Sequence, residues 1–344
     1  MEANDLTPRQ QAILLAVVGE YIVTAEPVPS KVVQEKHGLP ASRATIRNEM
    51  AEMERLGYLG KPHTSAGRVP TEAAYRLYVS QLQSAAPGLS REHTWVRGEL
   101  ARAGSDLAVL LRTSTRVLAD LTEQAALASE PVAPGQCFLA FRLAPVSARA
   151  IRVRYETEEG RRELLWEPEQ PLRSDQINAL GEVLASALAR EGLDRLDAEV
   201  LAEETGLPRE VLAGLLQLLA ENAEQRVYVE GAAHLFACPD FQERSRMQEL
   251  LNTLSGEGPA RALLRGVSRR EGISVMIGSE LSGRRFHDCG LVAQTYRGAR
   301  ACRGAVAVLG PLRMPYPRAM AAVQCVAQEI GGILGKGEEE ADSR

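Results

Sequence analysis

The sequence predicts an α+β protein of several domains that opens with a winged helix-turn-helix. Three observations carry this. The first 82 residues hold three helix-like segments, a short Gly-containing hairpin and a further helix, in that order. The rest of the chain alternates Leu/Ala-rich helical stretches with short β-rich runs. Finally, 344 residues with 45% hydrophobic and 25% charged side chains suffice for two or three folded domains.

The head is justified element by element. Thr7 suits an N-cap and Pro8 a first helical residue. Ile13, Val17 and Tyr21 then recur every four residues beside Leu6, Leu14 and Val18, which makes one apolar helix face. Pro27 and Pro29 end the segment. Ser30 caps a second short helix, Lys31 to His37, and Gly38 closes it. After Leu39-Pro40-Ala41, Ser42 caps a third helix running from Arg43 to about Leu56. Ile46, Met50 and Met53 form its buried stripe, so Arg43, Thr45, Arg47 and Asn48 lie around the first turns of the other face. A helix-turn-helix of this kind lays its second helix in the major groove, where Arg matches guanine and Asn matches adenine.

Tyr58 to Pro70 reads as the wing, two strand-like pieces around a polar tip with Lys61, His63 and Arg68 reaching for phosphate or the neighbouring minor groove. Thr71 caps a last helix through Tyr75, Tyr78 and Leu82. These helices spend their stripes on the head's own core, so a dimer surface is expected in the body.

Net charge is −5, which argues against indiscriminate nucleic-acid binding. Residues 1–82 hold nine basic and nine acidic side chains, and three of the four lysines (Lys31, Lys36 and Lys61) lie there. A locally basic face on an otherwise acidic chain suits a sequence-specific binder. No apolar stretch reaches the length of a membrane helix and no signal pattern opens the chain, so a cytoplasmic location is expected. The five cysteines (Cys137, Cys238, Cys289, Cys302 and Cys325) are widely spaced without a CxxC pair, and are expected reduced and buried.

In the body, Ala85-Ala86-Pro87-Gly88 marks a linker. A long helical segment follows, with Leu100, Ala103, Leu107, Leu110, Val117 and Leu121 in a seam that Ser114 interrupts. The seam suits a dimer interface or the face of a core helix. Strands are expected at Phe138–Leu143, Ile151–Tyr155, Leu164–Trp166, Val227–Val229, Ser274–Gly278 and Ala305–Leu309. Helices are expected over Ser174–Leu219, Phe241–Leu264 and around Met320–Leu334, and Gly337–Arg344 reads as a disordered acidic tail.

Catalytic patterns are absent. Gly335-Lys336 lacks the first Gly and the Ser/Thr of a phosphate loop, and there is no GxSxG or HExxH. His287-Asp288-Cys289 cannot all face one ion from a regular strand. No enzyme activity, cofactor or metal is expected.

The runs Glu26-Pro27-Val28, Ala44-Thr45-Ile46-Arg47-Asn48-Glu49-Met50, Leu56-Gly57-Tyr58-Leu59 and Pro62-His63-Thr64-Ser65-Ala66-Gly67-Arg68-Val69-Pro70-Thr71 resemble the N-terminal domain of the heat-inducible transcription repressor HrcA family. Val229–Leu235, Ile277-Gly278-Ser279-Glu280, Asp288-Cys289, Tyr296 and Gly310-Pro311-Leu312-Arg313-Met314-Pro315-Tyr316 extend the resemblance over nearly the whole chain. Gly290, Leu312 and Pro315 stand where Ser, Thr and Asp are usual.

The resemblance implies a GAF-like domain interrupted by an inserted dimerisation domain. The expected division is a head at 1–84, a GAF-like domain in two segments at 90–171 and 237–337, an insert at 172–236, and the tail at 338–344. It implies a homodimer on a double-stranded, inverted-repeat (CIRCE-type) operator of chaperone operons, sustained by the chaperonin GroEL and released on heat stress. The expected DNA-binding residues are Ser42, Arg43, Thr45, Arg47, Asn48, Lys61, His63, Thr64, Ser65 and Arg68. The competing class is a ligand-gated regulator whose GAF-like body binds a small metabolite.

Overall fold

The computed structural model describes residues 6–62, 67–83, 92–131, 138–147, 149–157, 160–193, 196–222, 226–241, 244–255, 257–265, 267, 272–281, 286–298 and 302–342. In the head, α1 (Pro8–Thr24) starts on a reciprocal cap. The Thr7 hydroxyl accepts from the Gln10 backbone N–H, while the Gln10 side chain accepts from that of Thr7 at 2.8 Å. α2 (Ser30–His37) begins directly after Pro29, so Ser30 is its first residue and not its cap. Gly38 closes it in the left-handed conformation, φ 57°. α3 (Arg43–Arg55) is capped by Ser42 and buries Ile46, Met50 and Met53. β1 (Leu59–Gly60) and β2 (Val69–Pro70) pair antiparallel, and α4 (Glu72–Gln83) follows. The Thr71 hydroxyl donates to the carbonyls of Gly57 and Tyr58 at 2.8 and 2.9 Å, tying the start of α4 to the end of α3.

The body begins with two helices where one was expected. α5 (Glu92–Ala103) and α6 (Leu107–Thr122) are separated by a turn in which Gly104 takes φ 70° and Asp106 caps α6. The seam is therefore internal: Leu100, Leu110, Val117 and Leu121 are all buried. Ser114, the interruption, is fully buried and donates its hydroxyl to the Leu110 carbonyl at 2.8 Å.

β3 (Ala125–Ser129) follows, buried at every position. It pairs with β7 (Val227–Glu230) on one side and β10 (Arg303–Pro311) on the other. With β9 (Cys289–Arg297) and β8 (Ile273–Ile277) they form a five-stranded antiparallel sheet, order β7-β3-β10-β9-β8. Alternate residues serve the two faces. Ala126, Ala128, Val292, Val306 and Val308 join the core with α5, α6 and α12 (Tyr316–Asp342). Ala125, Leu127, Leu291, Ala307 and Leu309 join the core with α10 (Arg244–Ser255) and α11 (Glu257–Arg265). This is a helix–sheet–helix sandwich. α12 runs to Asp342, through most of the stretch read as a disordered tail; Glu338 to Ala341 are good helix formers.

A second unit leaves the sheet after β3. β4 (Ala140–Pro145), β5 (Ile151–Thr157) and β6 (Gly160–Trp166) form an antiparallel meander. It shares one core with α7 (Ser174–Glu191), α8 (Ala198–Thr205) and α9 (Arg209–Glu221). The expected division at 172 cuts through this unit. β4–β6 belong with the helices that follow them, because Phe141, Leu143, Val153 and Trp166 pack on Ile177, Leu180 and Leu184. β7, placed in the insert at the sequence level, belongs to the main sheet. The helical stretch expected over 174–219 is three helices, broken around Gly192 and Gly206.

The head is not self-contained. Its core is continuous with the α12 side of the body, and Tyr75 of α4 stands against Tyr316 of α12, ring centroids 6.2 Å apart. Cys289 and Cys325 are buried, Cys238 and Cys302 half-buried, and Cys137 lies outside the described residues. Among the described residues no helix is long and apolar enough to cross a membrane.

Gly231, at the end of β7, takes φ 72°, and a Cβ there would lie 2.6 Å from the Gln124 carbonyl oxygen and 2.5 Å from the Ala119 methyl. Gly231→Ala is therefore expected to destabilise the body by roughly 2–4 kcal/mol, through left-handed strain and overpacking together. Urea unfolding checks this, and an unchanged midpoint would show that the β3–β7 junction yields without cost.

Candidate nucleic-acid interface

The N-terminal turns of α3 face a cleft of about 870 Å³, walled by Pro29 and Ser30 before and in α2 and by Lys61 and Gly67 of the hairpin. The hairpin is held there by backbone. Arg68 and Val28 exchange two N–H···O=C bonds, both 2.9 Å, an isolated antiparallel bridge immediately before β2. The close approach demands Gly67: a Cβ at that position would lie 2.5–2.6 Å from the Val28 and Pro27 backbone. The residues after α1 were read only as a helix stop, and their pairing with the wing was not foreseen.

The ten expected contact residues fall into four groups. Arg43, Arg47 and Asn48 are exposed on α3, and Lys61 is exposed on the hairpin. The side chains of these four carry no intramolecular hydrogen bond or ion pair among the described residues. Ser42 and Thr45 build the helix start: the Ser42 oxygen accepts from the Thr45 N–H at 3.1 Å, and the two hydroxyls lie 2.9 Å apart. Arg68 is placed differently from Lys61. Its side chain is only 15% exposed and its guanidinium pairs with Glu54 of α3 at 2.7 Å, which makes it a brace between hairpin and helix. His63, Thr64 and Ser65 lie outside the described residues.

The charge pattern sorts itself in the folded head. Six of the nine cations are paired: Arg9 with Glu49, Lys31 with Glu35, Lys36 with Glu20, Arg55 with Glu52, Arg68 with Glu54 and Arg76 with Glu280. The pairs with both partners exposed, Lys31–Glu35 and Arg55–Glu52, add little stability. The consequence of all six is electrostatic, because they cancel positive charge everywhere except on Arg43, Arg47 and Lys61, and all three line the one cleft. Arg43 and Arg47 stand one helical turn apart at the start of α3, whose first turn holds no acidic residue. Like charges at that spacing repel, and cations at a helix N-terminus oppose its dipole. An anion in the cleft relieves both. Arg and Asn side chains left unpaired on an exposed helix face can also bind base edges bidentately.

Elsewhere, His287 and Asp288 are exposed while Cys289 is buried in β9, so the three diverge. Among the described residues no three His, Cys, Asp or Glu side chains cluster as metal ligands.

Comparison with known proteins bears on this arrangement. The family described as HrcA protein C terminal domain matches residues 108–320. The heat-inducible transcription repressor HrcA of Symbiobacterium thermophilum is 32% identical over 333 residues, spanning 94% of this chain and 97% of its own. That of Synechococcus elongatus is 35% identical over 358 aligned positions, spanning 97% of this chain and 99% of its own. A crystal structure at 2.2 Å, described only as a hypothetical protein, matches with a TM-score of 0.60 at 23% identity, over 96% of this chain and 99% of the other, and speaks to the fold. The chain therefore belongs to the HrcA family of heat-inducible transcription repressors.

Proposed function

We propose that the head is a winged helix-turn-helix, and that the protein represses chaperone operons as a homodimer on an inverted-repeat, CIRCE-type operator until heat stress releases it. The observation that carries this reading is the concentration of the head's unpaired cations, Arg43, Arg47 and Lys61, in one cleft at the start of α3. In this reading α3 enters the major groove, Arg47 and Asn48 read bases, and Arg43 and Lys61 hold phosphates. Ser42 and Thr45 preset the helix start, Arg68 braces the wing, and His63, Thr64 and Ser65 are taken as further DNA contacts.

The body is taken as GAF-like and the second unit as the dimerisation domain. Leu139, Val146, Leu165 and Val200, four of the seven large apolar side chains exposed among the described residues, lie on that unit. The Leu100–Leu121 seam, which the sequence offered as a dimer interface or a core face, is buried inside the chain. A single head reads too few base pairs to select one genomic site, and two-fold symmetry on a palindrome doubles the contacts. GroEL, as the partner that sustains repression, and a cytoplasmic location follow from the family alone. Quantitative binding of the full chain to the promoter of its own operon, against a scrambled duplex of equal composition, tests the reading as a whole.

Three finer outcomes are expected. Arg47→Ala costs about 1–3 kcal/mol of operator binding and relaxes preference at one position; an identical profile for Arg47→Ala and Asn48→Ala removes α3 from the recognition role. Lys61→Ala lowers the slope of log affinity against log salt by about one, whereas Arg68→Ala lowers the melting temperature and leaves the slope nearly unchanged. Equal slopes for wild type and Lys61→Ala would mean that the hairpin faces away from DNA. Leu139→Glu with Leu165→Glu shifts the full chain toward monomer in sedimentation, and a dimer that persists at wild-type strength places the interface elsewhere.

A further inference from the structure

The head meets the body along a seam with an apolar middle and a polar anchor at each end. The middle is the Tyr75–Tyr316 contact. At one end, Glu72 in the first turn of α4 accepts from both the hydroxyl and the backbone N–H of Ser279, at 2.6 and 3.2 Å. Arg76, one turn later, donates to the Val275 carbonyl at 3.1 Å and pairs with Glu280. Gly278 leaves room for this: it takes φ 53°, and a Cβ there would lie 2.3 Å from the Glu72 carboxylate.

At the other end a single guanidinium joins three segments. Arg313, between β10 and α12, donates through Nε to Asp240 at 2.7 Å and through Nη1 to the Ile22 carbonyl at 3.4 Å. Ile22 sits in the last turn of α1, where carbonyls have no partner within the helix. The Cys238 thiol donates to the same Asp240 oxygen at 2.9 Å, so the carboxylate is held from two sides. Arg313 is 15% exposed and Asp240 26%. Both belong to segments distant in sequence from the head, and neither faces the cleft of α3.

We propose that Arg313 and Asp240 are positioning residues that set the spacing between operator half-sites by locking each head at a fixed angle to the body. The inference rests on the dimeric, DNA-reading function proposed above. In a symmetric dimer the two copies of α3 meet DNA at a separation and angle dictated by everything between them. Two copies of a rigid arm accept one spacing, because adding five base pairs turns the second half-site to the far side of the duplex. Two heads free to pivot accept several spacings, each at the lower effective concentration of a flexible tether. The apolar middle of the seam holds the head on the body, and the free energy of burial itself has no preferred direction. The anchors at its ends are directional, and the Arg313 fork is the one that reaches α1.

The test uses the full chain and a series of inverted repeats whose central spacer is lengthened one base pair at a time, with a duplex carrying one half-site as reference. Wild type is expected to bind one spacing best and to lose about tenfold or more when five base pairs are added. Arg313→Ala and Asp240→Ala are expected to keep half-site affinity within about twofold and to flatten that loss to about threefold or less. Arg313→Lys, which retains the charge toward Asp240 without the fork, is expected to fall between. A spacing profile as sharp in both alanine variants as in wild type overturns the proposal. So does a parallel fall in half-site and palindrome binding in all three variants, which would make the pair a purely structural support. A wild-type protein that shows no preference for the inverted repeat over a scrambled duplex would instead strike the functional reading on which the proposal stands.

Discussion

The head is organised by one close approach of two backbones. Val28 and Arg68 bond to each other through both of their peptide groups, and the chain can come that near only because residue 67 has no side chain. That contact draws the hairpin down beside α2 and α3, and the Arg68–Glu54 pair fixes it to α3 from the other side. The cleft then has three walls from three parts of the sequence, and its depth is a property of the joint, not of any one helix. Without it, the N-terminus of α3 would be an isolated helix end with two mutually repelling arginines.

Ion pairing acts on the same surface by subtraction. The head is formally neutral, yet its neutrality is unevenly spent. Glu20, Glu35, Glu49 and Glu52 take up cations away from the cleft and Glu54 takes up Arg68 at its edge, while Arg43, Arg47 and Lys61 have no ion-pair partner among the described residues. A field confined to one face orients an incoming polyanion, while the chain's overall negative charge repels it from every other approach.

How much of this the sequence discloses depends on range. Helices α1 to α3 were legible because their caps and apolar stripes are local: Thr7 with Gln10, Ser42 with Thr45, and Ile46, Met50 and Met53 at helical spacing. Strand β3 was not. Ala125-Ala126-Leu127-Ala128-Ser129 has no β-branched residue and suits a helix by propensity; only burial between β7 and β10 makes it a strand. The break between α5 and α6 rests on Gly104 and Asp106, weak signals inside a strong Leu/Ala pattern. Lys61 and Arg68 looked equivalent as wing cations because the partner that separates them, Glu54, lies on a different element. The docking seam was equally hidden. Gly310–Tyr316 stood out as a family signature, but its contacts with α1 and α4 join residues hundreds of positions apart.

The second unit departs from the sheet at the end of β3 and returns at the start of β7, and those two strands are antiparallel neighbours, with Ser129 directly opposite Val227. In topological terms everything from 130 to 226 is the loop of a β-hairpin. Its ends are clamped by the same ladder that a tight turn would close, so the β3–β7 pairing has the register of an ordinary hairpin. Loop-closure entropy rises only logarithmically, by about 0.6 kcal/mol per doubling of length, and a loop that folds on its own escapes most of even that. The join is therefore modular. The unit is nonetheless docked, since its α9 packs on α11 of the sandwich, while the head sits on the opposite helical layer, away from the join.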